Sequence, residues 1–113
     1  MKIIADTNTF IAVALNEPEK GKIIELTEGH ELISPDVLPF EIGNALTAMM
    51  KKNTLKKEEV ESAWDIVQQI PVDLRHTNIK YALSIAIKYN LYASDAHFLE
   101  CAENLGGYFA NWQ

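Results

Sequence analysis

Short apolar runs separated by longer stretches of helical periodicity set the rhythm of this chain. Ile3-Ile4-Ala5 is uninterrupted apolar sequence, so Lys2–Ala5 reads as a first strand. Thr9–Leu15 follows as a short helix closed by the Asn16-Glu17-Pro18 break. Pro18–Thr27 reads as a second helix, with Ile23, Ile24 and Leu26 as its apolar residues and Gly29 beyond its end. Glu31–Ile33 is a second strand. Ser34-Pro35 then has the form of a helix start, a capping serine before a proline at the first helical position. The helix it opens extends to about Lys52, with Leu38, Ala45 and Ala48 on one stripe and Ile42, Leu46 and Met49 beside it.

After the KKNTLKK turn, Glu58–Gln69 is helical through Val60, Ala63, Trp64, Val67 and Ile70. Pro71–Leu74 supplies a third, short strand. Thr77–Tyr89 is amphipathic, and Asn90 suits its carboxyl-terminal cap. Ser94 caps a further helix over Asp95–Leu105, Gly106-Gly107 ends it, and Tyr108–Asn111 is the last strand. Strands separated by helices predict one α/β domain over residues 1–113 with a mainly parallel sheet. In such sheets, functional residues gather beyond the carboxyl ends of the strands.

One residue in the opening run is out of keeping. Asp6 is a carboxylate placed where an apolar strand has just delivered the backbone into the core. It reads either as a helix cap, satisfying free amides at the start of the next helix, or as a site residue at a strand end. Two further acids tilt the balance. Glu41 shares a helical stripe with Leu38 and Ala45, and burying an unpaired charge there is costly. Its bland alternative is a buried ion pair, or a boundary position from which the carboxylate reaches water. Asp95 sits in a first helical turn, which acids favour for dipole reasons alone. Each acid is weak testimony by itself. Three on separate segments of one small domain are better explained together, as oxygen ligands for a hard divalent cation such as Mg²⁺ or Mn²⁺.

Composition narrows the setting. The chain has 113 residues, 48% hydrophobic and 23% charged, as an ordinary globular protein does. No apolar run approaches the roughly 18 residues of a membrane span, and the amino terminus lacks the features of a signal peptide. A single cysteine, Cys101, excludes an internal disulfide and fits the cytoplasm. The formal net charge of −6 argues against a general nucleic-acid coat but not against a nuclease, whose metal-binding centre is itself acidic.

The segments IIADTNTFIAVAL, PFEIGNAL and LYASDAHFLECAENLG, in this order and spacing, resemble the PIN domain family, and especially its small VapC-type toxins from toxin–antitoxin pairs. The resemblance spans nearly the whole chain. It implies a three-layer α/β/α fold with a short central parallel sheet, and an Mg²⁺- or Mn²⁺-dependent endoribonuclease that cleaves RNA phosphodiesters with a metal-activated water. It also implies neutralisation by a cognate antitoxin and homodimerisation. On the matching positions, Asp6, Glu41 and Asp95 are the acidic metal-binding residues, with Thr7, Asn8, Ser94 and Asn111 lining the same pocket. The chain departs from the pattern at its end. The family commonly carries a fourth acid in a stretch resembling LLTxD, and this alignment puts Asn111 at the threonine and Gln113 at the acid, without the final helix of longer relatives. An amide is a weaker ligand for a hard cation. A second reading is therefore a PIN-like binding or regulatory module impaired in catalysis. A third, a haloacid-dehalogenase-like phosphatase, wants an aspartate where Asn8 stands.

The remaining polar residues carry less. His97 lies about 200° round the helix from Asp95 and is expected at the surface or in packing. His30 and His76 lack metal-ligand spacing, Cys101 shares a stripe with Phe98 and Leu105, and Asp73 ends a strand from which it can approach the site but is not counted among the site residues. Lys51, Lys52, Lys56 and Lys57 are the densest basic patch available for RNA phosphates, although a solvated helix end is the commoner use of such a cluster.

Overall fold

The computed structural model describes residues 2–105 and 108–110. Ten elements follow in order: β1 (Lys2–Ala5), α1 (Thr7–Ala14), α2 (Lys20–Thr27), β2 (Glu31–Pro35), α3 (Leu38–Lys51), α4 (Lys57–Gln68), β3 (Asp73–Arg75), α5 (Ile79–Tyr89), α6 (Ala93–Leu105) and β4 (Tyr108–Ala110). The strands form one sheet in the order β3-β2-β1-β4. Every pairing is parallel, with Ile4 opposite Ile33 on one side and Phe109 on the other.

Alternation along β1 splits the core between two faces, because successive side chains of a strand point to opposite sides. Ala5 joins Phe10 and Ile11 of α1, Leu38, Ile42 and Leu46 of α3, and Ala63 and Val67 of α4. Ile4 turns the other way and packs with Ile33 and Cys101, so α6 covers that face. A third cluster, Ala82, Ile85, Ala86 and Ala96, fastens α5 to the outer side of α6. These are the three layers of an α/β/α domain. Ile42 and Leu46 are each only 1% exposed. Burying each of them contributes about 1.5–3 kcal/mol towards holding α3 in place.

Helix ends follow local chemistry closely. Asn16, Asn53 and Asn90 are the non-glycine residues with positive φ among those described, and they follow α1, α3 and α5. Asparagine tolerates the left-handed conformation that stops a helix. Asn90 caps α5 at φ 54° and ψ 49°, as its sequence position predicts.

Ser34-Pro35 differs from the expectation. It does not open a helix: β2 continues through Pro35, and α3 begins at Leu38 with Pro39 in its first turn. The Ser34 hydroxyl donates instead to the Ala5 carbonyl of the neighbouring strand. Proline's missing N–H costs little at the strand's last position, where the Asp36 N–H takes over and donates to the Arg75 carbonyl at 2.8 Å. A second correction concerns Ser94. α6 starts at Ala93, two residues before the expected Asp95, so Ser94 lies inside its first turn and is not its cap. Gly106-Gly107, Asn111 and Gln113 lie outside the described residues. Among the described residues, no helix is long and apolar enough to cross a membrane.

The left-handed cap gives a direct check. Asn90→Gly is expected to hold or raise stability, whereas Asn90→Ala loses about 1 kcal/mol by placing a Cβ in the left-handed region. Urea unfolding midpoints of the two variants measure the difference; equal midpoints would contradict it.

Candidate functional site

Asp6 leaves β1 in extended conformation and is the N-cap of α1. Its Oδ1 accepts from the Thr9 N–H at 3.2 Å and the Thr9 hydroxyl at 3.1 Å. Capping and site membership, which stood as alternatives for this residue, are therefore compatible. The same carboxylate that starts α1 also lines a pocket of about 570 Å³ at the carboxyl edge of the sheet. Thr7 and Asn8 line it from the first turn of α1, Glu41, Asn44 and Ala45 from α3, and Leu91, Ser94 and Asp95 from the α5–α6 junction and the start of α6. Phe98 and Leu99, one turn further along α6, complete it.

Three helix starts meet here, and each brings an acid: Asp6 caps α1, Glu41 lies in the first turn of α3, and Asp95 in the first turn of α6. Unpaired N–H groups give each helix start a partial positive charge of roughly half a unit, which favours ionised carboxylates. Asp6 nevertheless feels burial most. It is 7% exposed, and desolvation raises its carboxyl above the ordinary 3.8, against the hydrogen bonds from Thr9 that pull it down. No basic residue is among the described residues lining the pocket.

The lining offers carboxylate, amide and hydroxyl oxygens, without imidazole or thiol, the donor chemistry that suits a hard cation. Among the described residues, no three His, Cys, Asp or Glu side chains stand close enough to hold one ion directly. Mg²⁺ usually keeps several of its waters, so acids at longer range still fit a hydrated ion.

Other sequence candidates fall elsewhere. Lys51, Lys52, Lys56 and Lys57 are all exposed, at the end of α3 and the start of α4. Lys51 lies ten residues beyond Glu41, about 15 Å along the helix. His97 does not line the pocket; it is half-buried, and its Nδ1 is enclosed without a hydrogen-bond partner among the described residues. Asp73 pairs with Arg75 at 2.8 Å, and exposed His76 faces Asp36 at 3.4 Å. Cys101 is a core residue whose thiol is pushed up to about 11, by burial first and then by the Glu100 carboxylate, so it is unreactive. Asn44 was not singled out in the sequence. Its signal was present: it stands three residues after Glu41, on a neighbouring position of the same helix surface.

A model of the PIN domain matches residues 3–109. The chain belongs to the PIN domain family. Ribonuclease VapC3 of Pyrobaculum aerophilum is 25% identical to this PIN domain, over 95% of this chain and 86% of that protein. The crystal structure of PAE2754 from Pyrobaculum aerophilum superposes with a TM-score of 0.73 at 17% identity, covering 100% of this chain and 75% of that one. VapBC2 from Rickettsia felis, solved bound to a DNA fragment from its promoter, gives 0.68 at 14% identity, over 98% and 87% of the two chains. At such identities the two structures establish the shared fold.

Burial of Asp6 has a measurable consequence. Because its carboxyl is raised in the folded state, the ionised form costs stability: the cost is absent below 3.8 and complete above the folded-state value. Asp6→Asn keeps an oxygen acceptor for Thr9 and removes the charge. In buffer free of divalent ions it is expected to melt higher than the wild type at pH 7, with the gain shrinking as pH falls towards 3.8. A gain independent of pH, or a loss at pH 7, would count against a destabilising charge at this position.

Proposed function

We propose that this PIN domain is a VapC-like endoribonuclease that requires Mg²⁺ or Mn²⁺ and is held in check by a cognate antitoxin. The observation that carries the reading is the convergence of Asp6, Glu41 and Asp95, from three separate elements, on one pocket at the carboxyl edge of the sheet. When bound, such an ion supplies a lowered pKa for water and charge to offset a phosphoryl oxygen. The three carboxylates would hold it, Asp6 being the most rigid, since Thr9 fixes its Oδ1 from two directions. Thr7, Asn8, Asn44 and Ser94 offer hydroxyl and amide groups to orient the phosphate and a water for in-line attack. The helix starts of α1, α3 and α6 add partial positive charge where an anionic transition state forms. With the site's own acids serving as ligands, no side-chain nucleophile is needed.

The partners follow from relatives and from surface. The Rickettsia felis neighbour is a VapBC2 assembly on promoter DNA, which supports an antitoxin for this chain. Homodimerisation is supported by α5, whose outer stripe of Ile79, Leu83 and Ile87 is 59%, 46% and 82% exposed at spacings of four residues. The lysines of KKNTLKK remain the basic patch for more distant RNA phosphates. A second reading, a PIN-like module without catalysis, is favoured by one observation: among the described residues, no three acids approach closely enough to hold an ion unaided.

Incubation with a mixed cellular RNA pool separates the two. Cleavage is expected with Mg²⁺ or Mn²⁺ and is lost in EDTA. Asp95→Asn and Glu41→Gln are each expected to lower the rate at least about a hundredfold, with unchanged folding by circular dichroism. Wild-type protein that is folded, loaded with the ion and inert would replace the ribonuclease with the binding module.

A further inference from the structure

RNA entering this pocket meets acid. The chain carries 16 Asp and Glu against 10 Lys and Arg, no basic residue is among the described residues lining the pocket, and the lysine cluster that starts at Lys51 lies about 15 Å from Glu41 along α3. Phosphate neutralisation, the usual source of affinity for nucleic acid, is therefore weak at the site. A bound ion would offset charge at the reacting phosphate only, which leaves the flanking nucleotides to an uncharged attraction.

Two side chains beside the pocket have the required chemistry. Phe40 is 74% exposed and Tyr92 84% exposed, the two most exposed aromatic rings among the described residues. Phe40 precedes Asn44 by one helical turn, which sets their Cβ atoms about 5–6 Å apart on one face of α3. Asn44 lines the pocket, and Phe40 stands one turn before it on the same helix surface, outside the lining. Tyr92 lies between Leu91 and Ser94, which both line the pocket. Its carbonyl accepts from the Ala96 N–H at 3.1 Å, which fixes its backbone at the entrance to α6 while the ring stays in solvent. Neither residue itself lines the pocket; each adjoins a different wall along the chain, Phe40 directly before Glu41 and Tyr92 three residues before Asp95.

Taking the ribonuclease reading as its basis, we infer that Phe40 and Tyr92 are stacking platforms for unpaired bases on either side of the phosphate presented to the carboxylates. On this assignment the RNA is held at least as much by its bases as by its charge. Stacking suits an acidic protein because it needs no positive charge, and it tolerates any sequence because every base has a π-face. It also discriminates against duplex, in which those faces are already occupied. Both residues are positioning residues; neither touches the reacting phosphate.

The test uses a short single-stranded oligoribonucleotide carrying 2-aminopurine, whose fluorescence is quenched on stacking. Binding is measured with Asp95→Asn protein in Mg²⁺ and with otherwise unmodified protein in EDTA. Phe40→Leu and Tyr92→Leu are each expected to weaken binding about tenfold and to relieve the quench. Phe40→Tyr and Tyr92→Phe, which keep a ring, are expected to retain both, and duplex RNA is expected to bind weakly to all of them. Leucine variants that bind and quench like their parent would overturn the assignment while wild-type cleavage leaves the ribonuclease reading standing. If the leucine variants instead lose self-association in sedimentation, the rings are protein contacts and the assignment fails. Parent protein that neither binds nor cleaves RNA would remove both.

Discussion

Parallel strands must all be left at the same edge, and the architecture of the site depends on that constraint. The chain leaves β1 at Asp6 and β2 at Asp36, and in both places a helix begins at once, so α1 and α3 start side by side. The third helix arrives by a different necessity. β4 pairs parallel with β1, so the element before it has to travel from the carboxyl edge of the sheet back to the amino edge. That element is α6, and its first turn, with Asp95, therefore lies at the edge already holding Asp6 and Glu41. Three acids remote in sequence become neighbours because strand direction leaves them no other place.

Much of this was legible in the sequence because the signals were local and agreed with one another. Ile3-Ile4-Ala5 is apolar on both faces, as an inner parallel strand requires, and β1 is an inner strand. Asn90 is an apt left-handed cap wherever a helix has to stop. Ser34-Pro35 shows the limit of local signals. A hydroxyl before proline has the same form whether the hydroxyl caps a helix or bonds across a sheet. What decides is the Ala5 carbonyl, 29 residues away, to which Ser34 donates. A window of sequence contains no trace of it.

The acids and the rest of the pocket differ in the same way. Asp6 and Glu41 stood out because charge at a strand end or on an apolar stripe needs an explanation, whereas Asp95, ordinary in a first helical turn, gained weight only beside them. Asn44 carried only a spacing, three residues from Glu41, and an exposed asparagine needs no explanation. Leu91, Phe98 and Leu99 line the pocket and also belong to, or pack against, the core clusters. Apolar residues on a helix look alike in sequence whether they face a core or a cavity. Asn111 and Gln113, the places where this chain departs from the family's fourth acid, lie outside the described residues.

The electrostatics of the pocket set the terms for any chemistry there. An ionised Asp6 is disfavoured by burial, and Glu41 and Asp95 bring further negative charge to the same pocket. Helix starts offset this only in part, at roughly half a charge each. A phosphodiester added to that set would be repelled. Under the ribonuclease reading, Asp6, Glu41 and Asp95 would hold a divalent cation, whose charge would offset their own and make the pocket acceptable to an anion. An antitoxin that put a basic side chain among the acids would satisfy the same need by charge pairing, and would close the site to both.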